Sequence, residues 1–286
     1  DAQESRGLGD VYKRQIQNSL LFSATVVGFL STLFTVLGIS LTNIPCTNLL
    51  MRFLIVIVII VLLAMGCYAV IGVVYKDSVT LNIVKTPVEI FCGDIFETTG
   101  MKVIGCDSHF DTRVDDRVIS KRSLHGQLIL NHGNADEIKK VVEDAAVRMK
   151  LQKNDEGLYD FPLGTIIRYD SSVDQQTYLM LAVTELDEEL KAHTNMAKYE
   201  LMLMKMWKEI DRVYASYDVV LPIIGTGILR FDDGPKDRDA LLRCMLCTLN
   251  SSGVHFNSKI KVVIYGNSKE IPLYEYKDIF NVISRR

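Results

Sequence analysis

Two long apolar runs open the chain, and a pattern of shorter segments follows them. The runs Ser19–Leu41 and Phe53–Tyr75 each hold 23 uncharged residues. As helices rising about 1.5 Å per residue, they would each reach roughly 34 Å, more than the roughly 30 Å hydrocarbon core of a bilayer. Buried core helices are the alternative interpretation, but two such runs side by side are unusual in a soluble domain. The pattern therefore predicts two transmembrane helices within residues 16–76.

The segments around these runs set the expected orientation. The connector Thr42–Arg52 contains Pro45 and two asparagines, which is typical of a turn at a membrane surface. Lys76 and Lys85 follow the second run, whereas the connector carries only Arg52, so the positive-inside rule favours a cytoplasmic C-terminal part. Residues 1–15 lack an initiating Met and apolar periodicity, and we interpret them as a non-native leader.

Residues 77–286 alternate short β-branched segments with segments of helical periodicity, which predicts one α/β domain. Helices are expected where apolar residues recur at three-and-four spacing: Asn134–Lys150, Asn195–Tyr217, Arg238–Leu249 and Tyr274–Ile283. Strands are expected where β-branched and aromatic residues cluster: Val88–Cys92, Met101–Asp107, Gly164–Ser172, Thr177–Leu186, Asp218–Ile224 and Lys259–Tyr265. The fold class predicted is a mixed sheet covered by helices on both faces, a three-layer α/β/α domain.

Charge and cysteine content narrow the possible partners. The chain has 32 basic and 35 acidic residues. A net charge of −3 does not indicate a basic surface for binding nucleic acid. The six Cys residues show no disulfide-framework spacing, which favours a reducing, cytosolic setting for the C-terminal part. Cys244 and Cys247 form a single C-x-x-C pair in a predicted helix, where core packing is favoured over a zinc site.

Three loops follow predicted strands and carry polar or glycine residues: Gly93–Glu97, Asp107–Asp116 and Gly225–Phe231. In sheets of this class, ligands bind outside the carboxyl ends of the strands. The glycines of "PIIGTGI" (Pro222–Ile228) lack Cβ atoms, so a diphosphate could approach the backbone amides there. A turn glycine that contacts no ligand is the alternative.

Together these segments resemble a macro domain, a family that binds ADP-ribose and related nucleotides. The resemblance rests on a strand ending in Gly-Asp-Ile, a "VI" strand after it, and the later "PIIGTGI" before a predicted helix. The segment "HFDTRVDDRVISKRSLHGQ" (His109–Gln127) departs from ordinary macro sequences. It resembles the divergent macro domain that follows two N-terminal membrane helices in ThsA-type membrane effectors of bacterial Thoeris anti-phage defence.

The resemblance implies a set of ligand-binding residues. Asp94 would accept a hydrogen bond from the adenine amino group, although an Asp before a helix also serves as its N-cap. Arg230 would neutralise phosphate charge, Phe231 would stack on adenine, and a following helix could add its positive end. Gly126 would permit an unusual backbone in "SLHGQ" (Ser123–Gln127). His125 and Gln127 would donate to a ribose or a terminal substituent, unless they are ordinary surface residues. The full ligand-binding set is Asp94, Ile95, Phe96, Ser108, His109, Phe110, Asp111, Thr112, Ser123, Leu124, His125, Gly126, Gln127, Gly225, Thr226, Gly227, Ile228, Leu229, Arg230 and Phe231.

No catalytic group is identified. The customary catalytic Asn of hydrolytic macro domains is absent from "VIGCDSHFDT" (Val103–Thr112), and no G-x-S-x-G, H-E-x-x-H or P-loop sequence occurs. The spacing of Asp111, Asp115 and Asp116 fits no cation loop, and a solvated turn is favoured. We therefore expect no metal and no cofactor apart from the nucleotide ligand.

The function implied is that of a sensor at the bacterial inner membrane, with its soluble domain in the cytoplasm. A TIR-type NAD-consuming enzyme would supply an ADP-ribose-derived signal. Binding would favour a homo-oligomer whose helices perturb the lipid bilayer. Two alternatives stay open: a membrane-anchored ADP-ribosyl hydrolase, and a two-span scaffold with a vestigial cleft.

Overall fold

Five parallel strands form the centre of the sheet and bring their carboxyl ends to one edge. The computed structural model describes residues 28, 51, 54, 58, 78–155, 157–186, 192–227 and 229–265. The strands of these residues are β1 Ser78–Ile83, β2 Thr86–Cys92, β3 Met101–Asp107, β4 Ile166–Asp170, β5 Thr177–Leu186, β6 Ala192–Thr194, β7 Val219–Pro222, β8 Arg230–Phe231 and β9 Ile260–Ile264. Their order is β1-β2-β9-β7-β3-β5-β6-β8, and β4 also pairs with β5. Strands β2, β9, β7, β3 and β5 are parallel, whereas β1 is antiparallel to β2, and β4 and β6 are antiparallel to β5, which confirms the predicted mixed sheet.

Helices cover both faces of the sheet. The described helices are α1 Leu124–Gln127, a π-helical turn Leu128–His132, α2 Ala135–Met149, α3 Met196–Val213 and α4 Arg238–Ser251. Alternate residues of each strand therefore enter two cores: Val103 and Leu221 pack with α3 and α4, whereas Ile104 and Val220 pack with α2 and the loop after β3. Trp207 of α3 is fully buried, and its Nε1 donates to Thr248 Oγ1 at 3.1 Å.

Side-chain caps explain where the predicted helices begin. Asn134 caps α2, and its Oδ1 accepts from the amide of Asp136 at 2.9 Å. Asn195 caps α3 in the same way through the amide of Lys198 at 2.9 Å. These Asn side chains satisfy amide donors that the first turn of a helix leaves without intrahelical partners.

Replacing Asn134 with alanine is expected to lower the free energy of unfolding by about 1 kcal/mol, because the capping acceptor is lost. Urea unfolding of the full chain in detergent, followed by Trp207 fluorescence, measures this change because the sequence has one Trp. Lys140→Ala on the exposed side of α2 is the matched control and should change stability by less than about 0.5 kcal/mol. Equal effects of the two substitutions would contradict the capping role.

The N-terminal predictions fall outside this description. The chain divides into two units, Asp1–Val74 and Tyr75–Arg286. The leader 1–15, nearly all of the two predicted spans, and the predicted helix Tyr274–Ile283 lie outside the described residues, so these assignments stay predictions. Among the residues that are described, no helix combines the length and hydrophobicity that crossing a bilayer requires.

Candidate functional site

The three loops singled out from the sequence follow β2, β3 and β7. Because these strands are parallel, the loops leave the sheet at the same edge. Strand β7 lies beside β3, and β9 separates β7 from β2. Topology therefore places the loops along one edge, where open α/β sheets bind ligands.

The loop after β2 is a turn built on Asp94, with no helix for that residue to cap. The Asp94 carboxylate accepts from the Phe96 amide at 2.8 Å through Oδ1, and the Asp94 carbonyl accepts from Thr98 Oγ1 at 2.7 Å. Asp94 is exposed, whereas Ile95 is buried in the core on the α2 side. The turn leaves the Asp94 carboxylate at the surface, where a ligand can reach it.

The Phe96 ring packs against other aromatic residues of the domain. Its ring stacks on His132 with centroids 4.1 Å apart and planes 5° apart. His132 Nδ1 lies 3.1 Å from Asp174 Oδ2, which also accepts from the Tyr178 hydroxyl at 2.6 Å. Burial and this hydrogen bond raise the pKa of Tyr178. Burial favours the neutral carboxyl of Asp174, but the hydrogen bonds from Tyr178, the Gln176 amide and His132 together outweigh burial and lower the pKa of Asp174. The face of the Phe96 ring that stacks on His132 is therefore not available for the predicted ligand contact.

The loop after β3 is held by Asp107. Its Oδ1 accepts from the amide of His109 at 2.9 Å and from that of Asp111 at 3.3 Å. The Ser108 amide donates to the carbonyl of Thr184 at 2.8 Å, which ties the loop to β5. Phe110 has a φ of 52° and is 2% exposed. The Phe110 side chain is therefore a core residue, and a ligand contact of Phe110 stays a prediction that its backbone would have to make.

Asp111 anchors the next part of this loop. Its carboxylate accepts from the Arg113 amide at 2.9 Å and from Arg113 Nε at 2.8 Å. Burial favours the neutral carboxyl, but the bonds from Arg113 outweigh it and lower the pKa of Asp111. Asp111 is buried and Thr112 is half-buried, so the polar surface of the loop at this point consists largely of Arg113.

Asp115 and Asp116 form the solvated turn that their spacing predicts. Asp115 Oδ1 accepts from the amides of Arg117 and Val118, at 2.9 and 2.8 Å, and these backbone bonds lower the pKa of Asp115. The Lys121 amide does the same for Asp116. Within the described residues, no group of three or more His, Cys, Asp or Glu side chains is arranged to hold a metal ion.

Helix α1 supplies the segment Ser123–Gln127. Ser123 caps it, and its Oγ accepts from the Gly126 amide at 3.0 Å. Gln127 is half-buried and donates through Nε2 to the carbonyl of Arg122 at 3.0 Å. Leu124 is also half-buried and packs against the core on the α2 side. The segment is therefore short helix, and its exposed polar surface is small.

Two residues of α1 differ from expectation. His125 is 5% exposed, so it lies beneath the surface and does not present a free donor to a ribose. Gly126 was expected to permit an unusual backbone, but it is helical, and an added Cβ would lie 2.2 Å from the carbonyl oxygen of Ser120. Close packing, and not an unusual φ, requires glycine at this position.

The loop after β7 exposes the backbone that the sequence predicts. Gly225 has a φ of 90°, a conformation that side chains disfavour. Thr226 and Gly227 are exposed, and nothing lies within 4 Å of a Cβ added at Gly227. Helix α3 holds the start of the loop in place, because the hydroxyl of Tyr199 donates to the Ile224 carbonyl at 2.7 Å. Leu229 packs against the core, and Ile228 lies outside the described residues.

The residues after the glycines form a short strand, and the following helix begins where the sequence predicts it, at Arg238. Arg230 and Phe231 are β8, paired with β6, and α4 begins only at Arg238. The ring of Phe231 meets that of Tyr199 edge-on at 5.4 Å and packs against the core. Arg230 is exposed. The N-terminus of α4 therefore does not directly follow the glycine loop. One contact of the Phe231 ring is already made with Tyr199.

A depression beside the β3 loop involves residues that sequence reasoning missed. It has a volume of about 270 Å³ and is lined by Ser108, His109, Asp160, Phe161 and Glu185. His109 Nδ1 lies 3.1 Å from Asp160 Oδ1. Glu185 is near the carboxyl end of β5, the strand parallel to β3, so the rule on strand ends could have found it.

The cysteine pair of α4 is only partly a core feature. Cys244 is half-buried, and burial raises the pKa of its thiol to about 11. Cys247 is exposed, which corrects the expectation that both thiols pack in the core. The raised pKa keeps Cys244 in its thiol form at neutral pH, which disfavours thiolate chemistry there.

Two comparisons with known sequences identify relatives. The profile of the family described as "Thoeris protein ThsA, Macro domain" matches residues 88–265. A protein named "Thoeris protein ThsA" from Bacillus amyloliquefaciens (strain Y2) is 32% identical over 219 residues, which cover 73% of this chain and 72% of that protein.

Solved structures give weaker similarities. An Oceanobacillus iheyensis macrodomain with ADP is 16% identical, with a TM-score of 0.47, over 72% of this chain and 97% of the other. A Trypanosoma brucei macrodomain in complex with ADP-ribose is 9% identical, with a TM-score of 0.39, over 67% of this chain and 68% of the other.

Proposed function

Because this chain belongs to the Thoeris ThsA macro-domain family, we propose that it is a membrane-anchored sensor of antiviral defence. Its ligand would be an ADP-ribose-derived nucleotide, bound at the carboxyl edge of the sheet. The observation that carries the proposal is the common edge of the loops after β2, β3 and β7, with exposed backbone at Thr226 and Gly227.

The diphosphate is assigned to the glycine loop. An added Cβ at Gly227 would meet nothing within 4 Å, so phosphate oxygens can approach the amides of Thr226 and Gly227 without steric conflict. Arg230 begins the short strand that follows and is exposed, so its guanidinium is available to pair with a phosphate. This cation supplies positive charge next to the loop, whereas the following helix, α4, begins only at Arg238.

The adenine is assigned to the loop after β2. Asp94 is exposed, and its turn uses Oδ1 as the acceptor for the Phe96 amide, which supports Oδ2 as the acceptor for the adenine amino group. Phe96 and Phe231 are engaged with His132 and Tyr199, so aromatic stacking on adenine is not part of this proposal.

Binding of the nucleotide is proposed to change the assembly of the protein in the membrane. The signal would be made by a TIR-domain enzyme that consumes NAD, and the two predicted spans would hold the protein in the bacterial inner membrane. Ligand binding would favour a homo-oligomer that perturbs the bilayer. Such a switch requires the ligand to bind the assembled state more tightly than the resting state.

Binding of ADP-ribose to the full chain in detergent, measured by calorimetry, tests the proposed site. We expect Asp94→Asn to weaken binding about 10-fold, because the amide keeps an oxygen for the Phe96 amide but replaces the other acceptor with a donor. Asp136→Ala, an exposed carboxylate on α2, should bind like wild type.

Two results would contradict the proposal. One is the absence of binding by the wild-type chain, both to ADP-ribose and to the nucleotide products that a TIR-domain enzyme makes from NAD. The other is binding by Asp94→Asn at wild-type affinity. Turnover of an ADP-ribose ester by the wild-type chain would instead support the hydrolase alternative.

A further inference from the structure

His125 is buried in an environment that does not satisfy its imidazole. The side chain is 5% exposed, and its Nε2 has no hydrogen-bond partner within the described part of the chain. Its Nδ1 lies 3.9 Å from Asp107 Oδ2, which is beyond hydrogen-bond distance. Buried side-chain nitrogens are normally paired, so an imidazole held in this way requires an explanation.

The charged groups that face His125 are both carboxylates. Asp107 ends β3, and Asp111 lies in the loop that follows. Arg113 pairs with Asp111 through Nε at 2.8 Å. Among the described residues, the one basic side chain within 4 Å of the Asp107 carboxylate is His125. Burial lowers the pKa of His125, and this effect is larger than the opposing effect of the two carboxylates, which raise it. The ring is therefore neutral at neutral pH.

Asp107 connects this histidine to the candidate ligand loop. Its Oδ1 holds the amides of His109 and Asp111, while its Oδ2 faces His125. Gly126 packs against the Ser120 carbonyl and keeps α1 against this loop. A bound anion at this edge would add a negative charge near Asp107, and such a charge favours the protonated form of a neighbouring imidazole.

We propose that His125 is a positioning residue of this site: it takes up a proton when an anionic nucleotide binds, and it then hydrogen-bonds to Asp107. The proton comes from solvent and is added to the ring. A movement of about 1 Å brings Nδ1 within hydrogen-bond distance of Asp107. Protonated Nε2 then donates to a water that enters with the ligand. The ion pair of His125 and Asp107 then holds the Asp107 carboxylate in place, and this carboxylate accepts the hydrogen bonds from the loop amides. This inference rests on the proposed function, because it assumes an anion at the same edge of the sheet, where β7 lies beside β3.

Calorimetry of the full chain with ADP-ribose, in phosphate and in Tris at one neutral pH, counts the protons taken up on binding. We expect about 0.3 to 1 proton per ligand, because the bound anion raises the pKa of His125. Protonation then strengthens binding below the pKa of the bound state. Affinity is therefore lost as the pH rises through that value, by at most about 10-fold per pH unit.

His125→Gln is the test variant, because glutamine donates and accepts hydrogen bonds but does not titrate. It should abolish proton uptake and flatten the pH dependence of affinity. His255→Gln, at an exposed position outside the site, should keep both. Trp207 fluorescence shows whether each variant is folded.

The outcomes separate this inference from the proposed function. Binding of ADP-ribose by the wild-type chain without proton uptake, and with the same pH profile in His125→Gln, would overturn the role of His125 alone. Absence of any binding would overturn the proposed function. The role of His125 would then be judged without ligand, from the NMR titration of its ring and from hydrogen exchange at the amides of His109 and Asp111. A His125 ring whose pKa is not lowered, with amide exchange unchanged in His125→Gln, would overturn it.

Discussion

Gly126→Ala is expected to lower the free energy of unfolding by about 3 kcal/mol. The new Cβ would lie 2.2 Å from the carbonyl oxygen of Ser120 and 3.1 Å from its carbonyl carbon, so it meets backbone and not a flexible side chain. Helix α1 would have to move away from residues 120–121, and His125 would move with it. Alanine favours helix over glycine by about 1 kcal/mol, which only partly offsets the clash.

The matched control is Gly227→Ala. Its added Cβ would meet nothing within 4 Å, and its φ is not positive, so stability should change by less than about 0.5 kcal/mol. Urea unfolding of the full chain in detergent, followed by Trp207 fluorescence, measures both variants. Equal stability of the two would show that α1 is not held tightly against Ser120. Gly225→Ala should fall between them, because its φ of 90° is strained for alanine but the nearest contact is 3.4 Å.

The central strands were predictable because their own side chains define them. Met101–Asp107 and Thr177–Leu186 are continuous apolar segments with polar ends, which is the pattern of strands buried on both faces, and the structure has them at those bounds. The start of α2 was equally clear from Asn134 and the acidic residues of its first turn. These signals are local, so a single sequence carries them.

The sequence did not predict β1 or the end of α3, and both of these depend on less common turns. Strand β1, Ser78–Ile83, joins β2 through Val84 and Lys85, which have φ values of 48° and 64°. Turns of this kind are normally recognised by Gly, Asn or Asp, and this one has none of them. Helix α3 ends at Val213, four residues before the predicted end, and Ala215 and Ser216 have positive φ values without a glycine signal.

The candidate site was predicted at the level of loops and less well at the level of side chains. The sequence analysis placed the three loops after strands, and the parallel direction of β2, β7 and β3 in the structure gives these loops a common edge. Which loop residues point inward depends on packing between distant segments, for example Phe110 against Phe161 at 5.1 Å. Sequence spacing in an irregular loop has no period from which burial can be derived.

The Gly227 position offers the most direct test of where the nucleotide binds. We expect Gly227→Trp to weaken binding of ADP-ribose at least about 100-fold, because an indole at this exposed position would occupy the space assigned to the diphosphate. A loss of that size corresponds to about 2.7 kcal/mol. Calorimetry measures the affinity, and circular dichroism follows unfolding, since the new Trp would confuse the fluorescence of Trp207.

Lys139→Trp is the control for added bulk, at an exposed position of α2 outside the three loops. It should bind ADP-ribose like wild type. Gly227→Trp should unfold at the same urea concentration as wild type, because nothing lies within 4 Å of its Cβ. A stable Gly227→Trp protein with wild-type affinity would exclude the glycine loop as the diphosphate site. If Asp94→Asn still weakened binding in that case, the nucleotide would lie at the β2 loop with its phosphates directed elsewhere. The two substitutions therefore locate the two ends of the ligand independently.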